Sequence, residues 1–277
     1  MLEMVKFEHS VFALPFAMIG MMWAANGWPG WWTFSWIVVA MVSCRSASMS
    51  FNRILDRDVD ALNERTKNRA LPAGIVKLYT AKLFFTLCCI LFIVAAALLN
   101  PLALGLAPVA LFVTLGYSTT KRFTPLCHFV LGLSLGIAPA AAWIAVTGRL
   151  DWAIGWLTAA VTFWTAGFDI IYALPDEQFD REHGLRSLPQ TFGPSRALSV
   201  SRLCHAAAVL CLAMGGRAAG AGSVYLAGVG CAACLLAYEQ SLVRANDLRN
   251  VGVAFFNVNG YLSVGLFAFA LVDLAVR

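Results

Sequence analysis

The sequence predicts an all-α membrane protein, with nine transmembrane helices in two tandem four-helix units and a cytoplasmic N-terminus. Three observations carry this. The 277 residues are 60% hydrophobic and 13% charged, with a mean hydropathy of +0.74. Ordinary soluble domains are about 45–50% apolar and about 25% charged, so a soluble globular enzyme is excluded. No Asp, Glu, Lys or Arg occurs from Ser10 to Cys44 or from Leu83 to Thr120, and each run is long enough for two crossings at about 20 residues per helix. The turn-rich alternation of a membrane barrel, in segments of about ten residues, is absent.

The spans follow in order from the breaks between them. Met1-Leu-Glu-Met-Val-Lys6 is neither an Arg-rich transit peptide nor a signal with a small-residue cleavage site, so the first span, 11–28, is expected to remain in the mature chain. Asn26-Gly-Trp-Pro-Gly30 turns it into 31–54, and Asn100-Pro101 separates 81–99 from 101–118. The basic Lys121-Arg122 leads into 125–147, and Gly148-Arg149 divides that span from 152–174. Gly215-Gly-Arg217 separates 197–215 from 219–241, and 251–273 completes the nine.

Orientation follows from the basic residues. Of 20 Lys and Arg, all but Arg45, Arg149, Arg217 and Arg277 lie before the first span or in and beside the loops after spans two, four, six and eight. The positive-inside rule makes those loops cytoplasmic and places the C-terminus outside. This distribution also explains the net charge of +5 without a nucleic-acid partner. Seven of the eight cysteines fall in apolar stretches and only Cys127 lies near a loop, so no disulfide framework is implied. Cys231-Ala-Ala-Cys234 has no second pair or nearby His and reads as packing.

The cytoplasmic loops hold the unusual residues, and two of them resemble each other. Asp56-x3-Asp60 is followed by Arg69-Ala-Leu-Pro72, and Asp176-x3-Asp180 by Arg186-Ser-Leu-Pro189. Both follow even-numbered spans. Either short polar loops coincide, or one domain over 1–277 contains a duplication, with repeats over about 1–120 and 125–241 and a last helix at about 251–273.

At about 100° per helical residue, Arg45, Asn52, Asp56, Asp60 and Asn63 fall on one stripe. Asp169, Asp176 and Asp180 form a matching stripe that Pro175 is placed to kink. Parallel acidic stripes need positive charge between them. Mg²⁺, a hard cation that takes a carboxylate or two per ion with waters and phosphate oxygens, is the simplest candidate. The bland alternative is a juxtamembrane salt-bridge network with Arg53, Arg57, Arg65, Lys67 and Arg69. Asp169 and Arg45 inside apolar spans, where charge costs several kcal/mol by most estimates, favour a site.

Asn52-Arg-Ile-Leu-Asp56-Arg-Asp-Val-Asp60, continuing to Arg69-Ala-Leu-Pro72-Ala-Gly74, resembles the first signature of the UbiA superfamily of membrane prenyltransferases. Asp169-Ile-Ile-Tyr172-Ala-Leu-Pro-Asp176-Glu-Gln-Phe-Asp180, followed by Gly184-Leu-Arg-Ser187, resembles the second. Tyr117-Ser-Thr-Thr-Lys121-Arg122 is similar to the basic loop between them. The subgroup resembled is the 4-hydroxybenzoate polyprenyltransferases. Lys6-Phe-Glu-His9 and Gly167-Phe-Asp169 look most like the branch that prenylates a dihydroxynaphthoate in futalosine-route menaquinone synthesis. Ala70 stands where many members have Pro, and Arg53 where many have Asp.

The resemblance implies a transferase that moves a polyprenyl group from polyprenyl diphosphate to an aromatic carboxylate bearing a phenol, for ubiquinone or menaquinone. Asp56, Asp60, Asp176 and Asp180 would hold Mg²⁺ and serve as the catalytic set. Asn52, Arg69 and Lys121 would bind diphosphate oxygens. Asp169, Tyr172 and His9 would meet the acceptor. Arg45, deeper on the same stripe, would either pair with Asp169 or fork the acceptor carboxylate. Trp23, Trp143, Phe163, Trp164, Phe168 and Tyr172 are candidates to face an allylic cation, against a background of 34 aromatics that are mostly core or lipid-facing. His128, His183 and His205 have weaker claims, and Glu239 is expected to snorkel or pair with Arg244. The competing class is a transporter, with Asp169 and Arg45 marking a pathway. Against it, the polar residues cluster at one rim and the opposite loops are short. A CDP-alcohol phosphotransferase is disfavoured because no Asp-Gly-x2-Ala-Arg sequence occurs.

Overall fold

The computed structural model describes residues 10–277, and among them there are helices and no strand. Each of the nine segments expected from the sequence is helical. In chain order the helices are α1 (Ser10–Ala25), α2 (Trp31–Leu55), the short α3 (Arg57–Leu62), α4 (Leu78–Leu99), α5 (Pro101–Thr120), α6 (Cys127–Thr147) and α7 (Ala153–Ala173). The short α8 (Glu177–Glu182) and α9 (Leu188–Phe192) precede α10 (Pro194–Ala218), α11 (Ser223–Leu242) and α12 (Val251–Val276), which contains a π-turn at Ala254–Val258. Among the described residues, seven helices are long and apolar enough to cross a membrane: α2, α4, α5, α6, α7 with its extension to Glu182, α10 and α12. The chain is a multi-pass membrane protein. The count of seven is lower than the expected nine because only 16 residues of α1 are among those described, and α11 carries Glu239 and Gln240 in its last turn.

Contacts divide the chain into two compact units. In the unit built on Gly30–Thr119, the half of α2 nearer its C-terminus presents Ser43, Ser46, Ser48 and Ser50 to the interior. Ser48 Oγ donates to Thr114 O on α5 at 2.6 Å, and Cys44 Sγ lies 3.6 Å from Thr114 Oγ1. In lipid, small and hydroxyl residues let helices approach and satisfy each other. The opposite character appears on α4, where Leu83, Leu87, Ile90, Leu91, Val94 and Leu98 are exposed, as a lipid-facing surface requires.

The second unit comprises Val11–Pro29 and Thr120–Arg277. α1 therefore packs with the later helices. Its aromatic residues decide this. Phe16 lies 5.0 Å from Trp164 and Phe12 lies 5.9 Å from Phe168, ring centre to ring centre, in a core that includes Ile19, Leu157 and Leu262. Backbone proximity reinforces the arrangement: a Cβ on Gly20 of α1 would lie 2.5 Å from Pro139 O of α6.

Two local expectations are corrected. Cys231 and Cys234 lie exposed on α11, outside the packed interior. Glu239 neither snorkels nor reaches Arg244. It is fully buried and accepts from Asn259 Nδ2 at 3.1 Å, while Asn259 Oδ1 accepts from Trp164 Nε1 at 2.7 Å. The π-turn leaves carbonyls of Ala254 and Phe255 that the same Asn259 amide satisfies, at 3.1 and 3.2 Å.

The α6–α7 contact gives a test. A Cβ on Gly132 would lie 2.2 Å from Thr162 O, whereas one on Gly155 meets nothing within 4 Å. Gly132→Leu should destabilise by about 1–3 kcal/mol or more as the helices are forced apart. Gly155→Ala should be neutral or stabilising, by up to about 1 kcal/mol. Thermal unfolding of the detergent-solubilised protein reads both.

Candidate active site

In the first unit the acidic stripe is carried across a helix end. α2 stops at Leu55, with Asp56 as its C-cap, and α3 begins at Arg57. The stripe is therefore not on one unbroken helix, as the spacing predicts. Its register survives because the i to i−4 bonds continue: Asp56 N donates to Asn52 O at 2.9 Å and Asp60 N to Asp56 O at 2.7 Å. Asn63 leaves the stripe, adopting extended backbone at the end of α3.

The side chains on this stripe are fixed. Asn52 Nδ2 donates to Asp56 Oδ2 at 2.8 Å. Asp60 is buried, and Arg69 Nη1 donates to both of its oxygens, at 2.7 and 2.8 Å. Arg53 Nη1 stands 3.8 Å from Asp60 Oδ2 and donates to Asn52 Oδ1 at 3.3 Å. The residue that departs from the resembled pattern thus supplies a second cation. The loop that delivers Arg69 is closed by Val76 N to Ala70 O, 2.9 Å, and by Gly74 at φ +72°, a left-handed conformation that favours glycine.

Deeper on α2, Arg45 has its Nε buried without a hydrogen-bond partner among the described residues. Tyr117 of α5 sits in the electrostatic field of Arg53, Arg45 and Asp56. Tyr117 was quoted in the basic-loop motif but given no role by the sequence. The available signal was its position one helical turn before Lys121.

The second unit shows a parallel arrangement. Pro175 provides no backbone N–H, and Leu174–Asp176 form a 3₁₀ turn between α7 and α8. Asp180 is fully buried. Lys121 Nζ lies 2.7 Å from its Oδ1, and Ser187 Oγ donates to its Oδ2 at 2.9 Å. Burial works against the Lys121 charge, but the charge of Asp180, its hydrogen bond and the charge of Asp176 outweigh this and hold the ammonium above the ordinary lysine value. Arg186 N to Lys121 O, 2.6 Å, ties the loop after α8 to the loop after α5.

Asp169 finds a partner within its own unit. Its Oδ2 is 2.6 Å from His128 Nδ1, a pairing that the sequence, which gave His128 a weak claim, did not reveal. Tyr172 stacks on Phe255 with ring centres 4.1 Å apart. Of the other aromatic candidates, Trp23, Trp164 and Phe168 belong to the packed core, and Trp143 and Phe163 pack against it. His183 stacks on Phe179 and His205 bonds to Gln240. His9 lies outside the described residues.

Residues 13–261 match the UbiA prenyltransferase family. The chain belongs to that family. It is 31% identical over 254 residues to the 4-hydroxybenzoate octaprenyltransferase of Methylobacillus flagellatus, covering 92% of this chain and 85% of that protein. The 4-hydroxybenzoate octaprenyltransferase of Aromatoleum aromaticum is 31% identical over 268 residues, covering 94% and 90%. The apo structure of a UbiA homolog from Aeropyrum pernix K1 matches with a TM-score of 0.88 at 34% identity, over 96% of this chain and 98% of that one. A UbiA homolog from Archaeoglobus fulgidus bound to DMAPP and Mg²⁺ matches at 0.71 over 100% and 99%, with 20% identity, a likeness of fold.

As a UbiA prenyltransferase the protein is a transferase, and the transporter reading falls away. Among the described residues no three His, Cys, Asp or Glu side chains are grouped closely enough to hold a metal ion. In this UbiA chain Asp60 and Asp180 are instead held by Arg69 and Lys121. Each motif still offers two carboxylates, with Asn52 beside the first. This hard-oxygen donor set fits Mg²⁺, which needs only one or two protein carboxylates per ion.

Proposed function

We propose that this prenyltransferase moves a polyprenyl group from polyprenyl diphosphate to 4-hydroxybenzoate, in ubiquinone or menaquinone biosynthesis. One observation carries the reading: each motif sets a buried carboxylate on a fixed cation, Asp60 on Arg69 and Asp180 on Lys121, four residues after another carboxylate, Asp56 or Asp176. Each motif thus offers charges of both signs, as binding a polyanion with its counter-ions requires. The activity of the relatives at 31% identity supports the choice of donor and acceptor.

In this reading Asp56, Asp60, Asp176 and Asp180 hold Mg²⁺. Bound there, the metal neutralises the diphosphate and makes it a better leaving group. Asn52, Arg69 and Lys121 bind phosphate oxygens, Arg69 as a fork and Lys121 as a compact charge. Arg45 takes the acceptor carboxylate with its unpartnered guanidinium edge, while Asp169, Tyr172 and His9 line the rest of the acceptor site. Nine crossings, with α1 and α11 as the two shorter or more polar ones, put the N-terminus and both Asp motifs on the cytoplasmic face of a bacterial inner membrane. The basic residues gathered in the even-numbered loops support this orientation, and the two similar Asp-containing loops support a tandem repeat of four-helix units. Gly167-Phe-Asp169 favours a second acceptor, a dihydroxynaphthoate.

Purified protein given a polyprenyl diphosphate, Mg²⁺ and each acceptor in turn should prenylate 4-hydroxybenzoate, with preference for the naphthoate identifying the second reading. Asp56→Asn and Asp176→Asn should each lower turnover by orders of magnitude, about 10²-fold or more, with folding intact. Near wild-type turnover at saturating Mg²⁺ would remove the metal role. Arg45→Ala should raise the acceptor KM or lower kcat with little change in prenyl diphosphate affinity, whereas unchanged acceptor kinetics would remove Arg45 from the site. Cysteine labelling should find 56–80, 119–124 and 176–196 cytoplasmic and Arg277 outside; a cytoplasmic C-terminus would contradict nine crossings.

A further inference from the structure

His128 is the second residue of α6, and its ring is 2% exposed. Both ring nitrogens are engaged. Nδ1 faces Asp169 Oδ2 at 2.6 Å, and Nε2 receives the backbone N–H of Leu188 at 3.3 Å. Leu188 is the first residue of α9, where helical N–H groups lack intrahelical partners. Ser187, the N-cap, takes the N–H of Gln190 at 3.3 Å, so His128 satisfies the remaining one. A nitrogen that accepts an N–H carries a lone pair, so the imidazole proton sits on Nδ1 and is donated to Asp169. An imidazolium would place Nε2–H against Leu188 N–H, donor against donor.

Asp169 accepts the Nδ1–H through Oδ2, and its side chain is 20% exposed beside a nearly closed imidazole. Among the described residues its only hydrogen bond is through Oδ2, which leaves Oδ1 without a donor among them. Asp169 lies seven residues before Asp176, about 10 Å deeper along the helical rise. A small hydroxylated aromatic held beyond the diphosphate would bring an O–H to that depth.

We propose that Asp169 is the base that takes the hydroxyl proton of the aromatic acceptor, with His128 as the residue that positions it. The inference rests on the acceptor site proposed above. The ring carbon next to the hydroxyl-bearing carbon bonds to the allylic carbon as the allylic C–O bond breaks, and its electron pair leaves with diphosphate. The O–H proton passes to Asp169 Oδ1, leaving a dienone. Loss of the ring C–H proton to the departing diphosphate and return of the Asp169 proton to the oxygen restore the phenol and the carboxylate.

Other titratable groups on the surrounding elements are already engaged or point elsewhere. Cys127 of α6 directs its thiol to Arg186 O at 3.5 Å, and Arg186 donates to Phe123 O. His205 of α10, against Gly167, bonds Gln240, and Arg202 is exposed. Cys204 is buried, Tyr172 stacks on Phe255, and Lys121 and Asp180 pair with each other.

The test uses full-length protein with polyprenyl diphosphate, Mg²⁺ and 4-hydroxybenzoate or the naphthoate. Asp169→Asn keeps an oxygen for Nδ1–H but cannot take a proton, and should lower kcat by about 10²-fold or more without changing the Kd for prenyl diphosphate. His128→Leu removes a hydrogen bond that favours the carboxylate form, so the acid limb of acceptor kcat/KM should move up by about one pH unit. His128→Asn, which can still present an N–H to Asp169, should move the limb back. Histidine ¹⁵N spectra of the wild type, assigned with His128→Asn, should show the neutral Nδ1–H form at pH 7. An imidazolium signal, an unmoved acid limb in folded His128→Leu, or Asp169→Asn retaining more than about a tenth of wild-type kcat would each overturn the proposal while wild-type turnover upholds the acceptor reading. A wild type inactive toward every hydroxylated acceptor would overturn both.

Discussion

The constraint on which the polar half of this protein depends is the cost of burying a carboxylate. A buried anion stripped of water is tolerated only when a cation or several hydrogen-bond donors replace its hydration. Asp60 and Asp180 meet this cost in the same way, one with Arg69 and Arg53, the other with Lys121 and Ser187. Each cation comes from a loop that must itself be folded to deliver it, so the turn closed by Gly74 and the tie between Arg186 and Lys121 are consequences of the carboxylates. The pairs differ in chemistry. A guanidinium addresses both oxygens of Asp60, while a single ammonium meets one oxygen of Asp180 and leaves the other to a hydroxyl.

The same constraint shapes the helix ends. A continuous helix would carry Asp56 and Asp60, or Asp176 and Asp180, on one straight stripe. The chain instead interrupts each helix at the first carboxylate, by a cap at Asp56 and by the 3₁₀ turn around Pro175. The break after Leu55 keeps the i to i−4 bonds of Asp56 and Asp60 and so keeps their register. In this way the spacing of four remains meaningful even though the helix it implies does not persist.

That explains what was legible in the sequence. Helix positions followed from apolar runs and from breaks such as Asn100-Pro101, because backbone groups in lipid must bond within their own segment. The carboxylates and their cations were legible because charge is rare in such a chain and its spacing is local. Pairings between helices were not legible. His128 meets Asp169 from 41 residues away, and Asn259 meets Trp164 from 95; a single His or Asn in an apolar helix reads the same whether it is bonded or idle. The packing of α1 with α7 was hidden for the same reason, since Phe12 and Phe16 fit any apolar surface until Trp164 and Phe168 are placed beside them.

Arg45 shows what remains once these pairings are made. Its stripe places it two turns below Asn52, and its Nε is shielded from solvent without an acceptor among the described residues, whereas Ser43 and Ser48 on the same helix bond to their own helix and to α5. Removing one partner from a buried polar group costs the full desolvation of the group that remains, and for a guanidinium in lipid that cost is larger. Among the described residues no acceptor meets that Nε, and a planar carboxylate suits a guanidinium's fork of donors best. Under the proposed function that carboxylate is the acid group of the aromatic acceptor.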